Sequence, residues 1–178
     1  KNRMIMSPMG TASDPDGGFS EQNRNYYVER AKGGFGLIIL ECCIASEAYE
    51  TRPNKVLDSF HKVGRLADLI DRCHQYGAKV CVQLSPGCGR MGYSDPNTPP
   101  YAASAVPSVW FPALTCRPFT TEQIHDIVEK FGFSAKLAQT AGADAIELQG
   151  YGGHLVGQVL TETWEARPGE YGGGPWKQ

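Results

Sequence analysis

The strongest constraint on this chain is the way its hydrophobic pattern alternates. Short apolar runs at residues 3–7, 37–41, 79–84 and 145–148 are separated by longer stretches whose apolar residues recur at helical spacing. The run Gly36-Leu37-Ile38-Ile39-Leu40 has no polar residue, as a strand covered on both faces requires. Residues 21–32 follow a Ser20 cap, carry Tyr26, Tyr27 and Ala31 on one side and stop at Gly33-Gly34. Residues 60–76 follow Ser59 as a cap, with Leu66, Leu69, Ile70 and Cys73 in step and Gly77 at the close. Thr120 and Gln123 form a capping box for residues 121–141, where Ile124, Ile127, Val128, Phe131, Ala135 and Ala138 share a face before Gly142. Strand, helix, strand, helix, strand, helix, strand predicts parallel strands, adjacent in chain order and joined by right-handed crossovers.

At 178 residues the chain can bury one sizeable core, and it contains no internal repeat. A net charge of −2 gives no electrostatic reason to expect nucleic acid or an anionic membrane as partner, and no apolar run is long enough to span a bilayer. The six cysteines form no CxxC and no Cys/His pair at zinc-finger spacing, so no metal site is expected. Reduced thiols in a cytoplasmic protein fit that pattern. Both termini read as cut points: residues 1–6 enter a strand almost at once, and residues 170–178 stop where a further helix is expected.

In parallel α/β folds, ligands bind at the carboxyl ends of the strands, which directs attention to the residues just after each run. The first gives Ser7-Pro8-Met9-Gly10-Thr11, where Gly lets backbone approach a flat ligand, although a tight strand exit explains it equally well. The second gives Glu41-Cys42-Cys43, and vicinal cysteines pointing to opposite faces of a strand favour packing over redox chemistry. The third gives Gln83-Leu84-Ser85-Pro86-Gly87-Cys88-Gly89-Arg90, with an amide that can donate and accept together or simply satisfy loop carbonyls. Residues 85–118 are long, rich in Pro and Gly and without periodicity, as a functional loop is. The fourth run opens into Gln149-Gly150-Tyr151-Gly152-Gly153-His154, a Gly-rich turn crowded with polar and aromatic groups. No GxGxxG follows a strand and no Walker A sequence is present.

These segments in order, with Tyr26-Tyr27-Val28-Glu29-Arg30-Ala31-Lys32-Gly33-Gly34 and Arg167-Pro168-Gly169-Glu170-Tyr171-Gly172-Gly173, cover nearly the whole chain. Together they resemble the FMN-dependent Old Yellow Enzyme-like oxidoreductases. The likeness is closest to the larger branch that includes 2-enoate reductases, 2,4-dienoyl-CoA reductases and trimethylamine dehydrogenase-like enzymes. The resemblance implies an α/β fold, a (β/α)8 TIM barrel of which this chain supplies about the first four β/α units. Residues 1–178 would then be the amino-terminal half of an FMN-binding domain. It implies FMN over the strand ends, NAD(P)H as electron donor, and hydride transfer to an activated alkene such as an enoate, enone or dienoyl thioester.

Pro8, Met9 and Gly10 would line the flavin edge through backbone, Cys42 would stand near the isoalloxazine, and Gln83 would hydrogen-bond the pyrimidine ring. Arg167 falls on an Arg the family retains, with a structural role. After the fourth strand the family commonly shows His-x-x-His or His-x-x-Asn and then Gly-Tyr, the Tyr giving a proton to substrate. Here Gln149, Gly152 and His154 hold those positions. His154 is the expected proton donor, Tyr151 its alternative, and Gln149 the substrate contact. The FMN phosphate site, the basic residue near flavin N1 and any iron–sulfur cluster would lie in segments outside this chain. An amine dehydrogenase of the same family is the alternative chemistry. A silent half-barrel is the alternative of another kind, since four strands leave two open edges for the missing half-barrel, in the same or another chain, or for a homo-oligomer.

Overall fold

A computed structural model describes residues 2–11, 15–50, 55–93, 95, 97–161, 163, 164 and 171. The elements in chain order are β1 (Ile5–Met6), α1 (Glu21–Lys32), β2 (Leu37–Ile44), β3 (Lys55–Val56) and α2 (Val63–His74). Then come β4 (Lys79–Ser85), β5 (Tyr101–Ala102), β6 (Arg117–Pro118), α3 (Thr121–Thr140), β7 (Ala145–Leu148) and α4 (Leu155–Val159). The main sheet runs β1-β2-β4-β7 with every pair parallel, the order and direction the sequence pattern predicts. The short β3 pairs with the carboxyl end of β2, also in parallel.

The chain divides into two compact units. The first comprises residues 1–45, 53–85 and 130–148. Its core gathers Ile38 and Leu40 of β2, Val80, Val82 and Leu84 of β4, Tyr27, Val28 and Ala31 of α1, Leu66, Leu69, Ile70 and Cys73 of α2, and Leu137 and Ala138 of α3. Every β4 residue after Lys79 is buried, which is why this strand reads as apolar on both faces. Ser20 and Asn23 cap α1 reciprocally, through Asn23 N to Ser20 Oγ at 3.1 Å and Ser20 N to Asn23 Oδ1 at 3.2 Å. The expected box at α3 forms as well, with Thr120 N donating to Gln123 Oε1 at 2.9 Å and Gln123 N to Thr120 Oγ1 at 3.2 Å.

Several boundaries differ from expectation for local reasons. β1 is only two residues: ahead of it the Met4 amide donates to Asn2 Oδ1 at 2.9 Å, while Met4 O accepts from Gly36 N at 2.9 Å. Gly36 lies so close to Asn2 that a Cβ there would strike the Asn2 carbonyl. Ser59 makes no side-chain cap; Lys62 N closes a 3-10 turn onto Ser59 O at 3.2 Å, and the α-helix starts at Val63. α2 stops at His74, where Gly77 N returns to His74 O at 2.8 Å with φ +73°. On α3, Val128 is 59% exposed rather than part of the apolar face, because the buried seam runs through Ile124, Ile127, Leu137, Ala138 and Ala141. β2 extends to Ile44 through a bulge. Between the pairs Leu40–Val82 and Cys43–Leu84, Glu41 and Cys42 stand opposite the single residue Gln83.

The second unit comprises residues 46–52, 86–129 and 149–178. The long segment after β4 is not unpatterned: β5 and β6 pair in parallel, Tyr101 opposite Arg117. Tyr101 stacks on Phe119 with centroids 5.0 Å apart, and Tyr49 meets both rings edge-on at 5.6 and 5.2 Å. Tyr49 donates its hydroxyl to Asp126 Oδ2 at 2.9 Å, and burial, ahead of that carboxylate, pushes the phenol up to about 12. Gln158, fully buried on α4, accepts from Arg90 N at 3.1 Å and Ala103 N at 3.4 Å. Among the described residues no helix is long and apolar enough to cross a membrane. Arg167, Gly172 and Gly173 lie outside the described residues.

At the amino ends of β4 and β7, Asp144 accepts from Val80 N at 2.9 Å and Lys79 Nζ at 2.7 Å and contacts His74 Nε2 at 2.7 Å. Burial pushes this carboxyl up, but Lys79, the Val80 amide and His74 outweigh it and hold it at about 2, against 3.8 when free. A depressed carboxyl stabilises the fold above its unfolded pKa, and the contribution is lost as pH falls through the folded value. With the side chain 22% exposed, screening leaves roughly 1–2 kcal/mol. Urea unfolding of Asp144→Asn should therefore show a deficit of about that size at pH 7, shrinking toward zero near pH 2.

Candidate functional site

In the first unit, the strand ends carry a buried polar network. Glu41, at the β2 bulge, is buried, with Oε2 accepting from Thr11 N at 2.7 Å and Oε1 from the Thr11 hydroxyl. Asn23 of α1 donates to the same hydroxyl oxygen at 2.8 Å. Lys55 of β3, 1% exposed, brings its Nζ to 3.8 Å from Glu41 Oε1 and 5.5 Å from the Phe19 ring centroid. The Glu41 amide donates to Tyr27 Oη at 3.0 Å, and burial together with the Glu41 charge drives that phenol far above its ordinary range. The network fixes the chain where it leaves β1. Just ahead of the pinned Thr11, Met9 is 63% exposed, and a Cβ at Gly10 would meet nothing within 4 Å. The backbone of Pro8-Met9-Gly10 is thus presented on a loop anchored at both ends.

Gln83 of β4 and Glu147 of β7 are direct partners across the parallel pair. Gln83 is buried, its Nε2 donates to Glu147 Oε1 at 2.6 Å, and its Oε1 accepts no hydrogen bond from a described residue. Cys42, opposite Gln83 at the bulge, is half-buried, whereas Cys43 is buried and its thiol is pushed well up by loss of solvent. A thiol so raised is a packing group. None of the six cysteines is in a disulfide.

In the second unit, His154 caps the start of α4 and bridges backward to Gly89. Its Nδ1 lies 2.9 Å from Gly87 O and 3.3 Å from Cys88 O, so Nδ1 carries the proton and donates to these carbonyls. That leaves Nε2 as the nitrogen able to exchange a proton with a ligand. Gly87 and Gly89 have φ of +72° and +86°, and Glu50, itself buried, fills the space a Gly87 Cβ would need. Tyr151 is 73% exposed, with its ring 6.4 Å from His154 and tilted by 54°. Gln149 is half-buried.

Within the first unit the structure joins Pro8, Met9 and Gly10 to Glu41 through Thr11, and Gln83 to Glu147. Within the second it sets Tyr151 beside His154. Glu41, Lys55 and Glu147 were not among the residues expected from sequence. Glu41 had a signal, a carboxylate ending an otherwise apolar run, whereas Lys55 had none. Among the described residues no group of three or more His, Cys, Asp or Glu could hold a metal ion.

Residues 1–177 match the family described as NADH:flavin oxidoreductase / NADH oxidase. The chain is 36% identical to a cinnamate reductase of Clostridium sporogenes, over 97% of this chain and 27% of that protein. It is 35% identical to an NADH oxidase of Thermoanaerobacter brockii, again over 97% and 27%. The structure of morphinone reductase in complex with tetrahydroNAD superposes with a TM-score of 0.82 at 25% identity, covering 97% of this chain and 52% of that one. The chain therefore spans about a quarter to a half of the length of these proteins.

A methyl group at Gly89 would sit 2.6 Å from Gly153 O and from Leu155 N, on a backbone with φ +86°. Gly89→Ala should lower stability by at least about 1–3 kcal/mol in chemical denaturation. An unchanged midpoint would mean that the Gly89–His154 bridge does not hold this loop.

Proposed function

This chain belongs to the NADH:flavin oxidoreductase / NADH oxidase family, and from that premise we propose that it forms the amino-terminal half of an FMN-binding (β/α)8 barrel in an alkene reductase. NAD(P)H would be the electron donor, and the acceptor an activated alkene such as an enoate, enone or dienoyl thioester. The likeness to a cinnamate reductase supports an enoate acceptor. The observation that carries the reading is Gln83, a buried amide at a strand end with an acceptor oxygen not used by a described residue. An acceptor corner open to a ligand and the exposed Met9 and Gly10 fit the edge of a flat, polar heterocycle. FMN, when bound, supplies the hydride chemistry; the protein binds, orients and moves protons.

Gln83 would hold the pyrimidine edge, Pro8, Met9 and Gly10 would line the ring through backbone, and Cys42 would pack near it. Gln149 would contact substrate. His154, anchored through Nδ1–H, would carry the substrate's proton at Nε2, and only the imidazolium can give it up. The open edges of β1 and β7, where Leu148 is 60% exposed, would pair with later strands of the same barrel.

Gln83→Leu in the complete protein should weaken FMN binding by about 1–3 kcal/mol, roughly 5- to 150-fold, in a fluorescence titration. Unchanged affinity would displace the flavin from this strand end. His154→Ala should cut turnover by about 10²–10⁴-fold with little change in substrate affinity. If Tyr151→Phe abolishes turnover while His154→Ala keeps it, the acid is Tyr151.

A further inference from the structure

The hydrogen bond between Gln83 and Glu147 has a direction that chemistry alone dictates. A carboxylate offers only acceptors, whereas a primary amide offers a donor at one corner and an acceptor at the other. With Glu147 Oε1 at 2.6 Å, the corner of Gln83 that faces it must be nitrogen, since an oxygen there would meet an oxygen without a proton between them. The two residues sit opposite each other in the β4–β7 ladder, so the strand register, not a flexible loop, sets their spacing. The charge of Glu147 is also felt by its neighbour: after burial, it is what raises the Cys81 thiol to about 11. Gln83 itself is 8% exposed and has little freedom to turn.

We propose that Glu147 is a positioning residue: by holding Gln83 Nε2, it fixes the amide with its oxygen toward the ligand, and so selects a ring edge that presents an N–H. This inference rests on the reading of Gln83 as the FMN contact. Under that reading the selected group is the imide N–H of the isoalloxazine. The second Nε2 N–H stays free to donate elsewhere, but the amide cannot flip, because that would set its oxygen against the acceptor-only carboxylate and leave no oxygen corner for the ring N–H. Removing the carboxylate while keeping the shape removes the directional preference, because a neutral amide at position 147 can donate or accept.

The test uses the complete flavoprotein with FMN and the variants Glu147→Gln, Glu147→Met and Gln83→Leu. The readouts are FMN affinity and the resonance Raman band of the imide N–H bend, followed by its shift in D2O. The band reports the hydrogen bond at that atom and does not respond to a general loss of stability. In Glu147→Gln the band should move toward its position in Gln83→Leu, with FMN binding weaker by about three- to tenfold. Glu147→Met should move it in the same direction and keeps the test open if Glu147→Gln fails to fold. If Gln83→Leu shifts band and affinity while both Glu147 variants leave them at wild-type values, the positioning role is overturned and the flavin placement stands. If Gln83→Leu also leaves both unchanged, the placement fails, and this inference with it.

Discussion

The buried pair of Glu41 and Lys55 is the interaction on which the strand ends depend. Two charges at this depth lose most of their hydration, an effective penalty of several kcal/mol each, and only good geometry with further hydrogen bonds offsets it. Glu41 has those bonds, from Thr11 N at 2.7 Å and from the Thr11 hydroxyl. The carboxylate's partners come from two segments, Thr11 from the exit of β1 and Lys55 from β3, while α1 joins through Asn23, which donates to the Thr11 hydroxyl, and Tyr27, which accepts from the Glu41 amide. Glu41, through its carboxylate and its amide, therefore draws three segments onto the end of β2. A hydrophobic residue at position 41 could pack as tightly but would leave the Thr11 amide and hydroxyl without their acceptor. The ion pair is thus better understood as a device for placing a loop than as a source of net stability.

The bulge makes this placement possible. In a regular ladder Glu41 and Cys42 would each face a residue on β4; here the two stand opposite Gln83 alone. An inserted residue bends the strand and re-aims the side chains beyond it, which is why bulges gather beside functional sites. Glu41 is buried against Thr11, Cys42 is left half-buried, and Cys43 returns to the core. The next strand repeats the theme by other means. Gln83 is constrained by register against Glu147 rather than by a bulge, so its orientation is only as secure as the β4–β7 pairing.

The strand order was legible because hydrophobic period and element length act locally and a parallel connection leaves little topological choice. Ser20 and Thr120 were legible as caps for the same reason, since each partner lies three residues away. Ser59 misled, because a backbone 3-10 turn took over what a hydroxyl would have done. Val128 misled because a periodic pattern tolerates a neighbour one step off the seam, and which flank is covered depends on the packing around it. Lys55 gave no signal at all: one lysine in a polar stretch is ordinarily a solvated one, and its burial follows from β3 adding to β2. Gln83 stood out as a strand-end amide, but its partner did not, because pairing with Glu147 is a consequence of register across residues 64 apart.

His154 shows what a histidine demands of the loop that holds it. A tyrosine in its place would carry its proton on a single oxygen and need no second anchor. A histidine must spend one nitrogen on orientation, and here Nδ1 does so against Gly87 O at 2.9 Å. That bond requires the carbonyl to point inward, which the turn achieves with φ of +72° at Gly87 and +86° at Gly89. The same glycines leave room for buried Glu50 on one side and for the Gly153–Leu155 backbone on the other. Sequence features separated by about sixty residues, the Gly87-Cys88-Gly89 turn and the Gly152-Gly153-His154 turn, are therefore one structural unit, and His154 is oriented only while both keep their glycines.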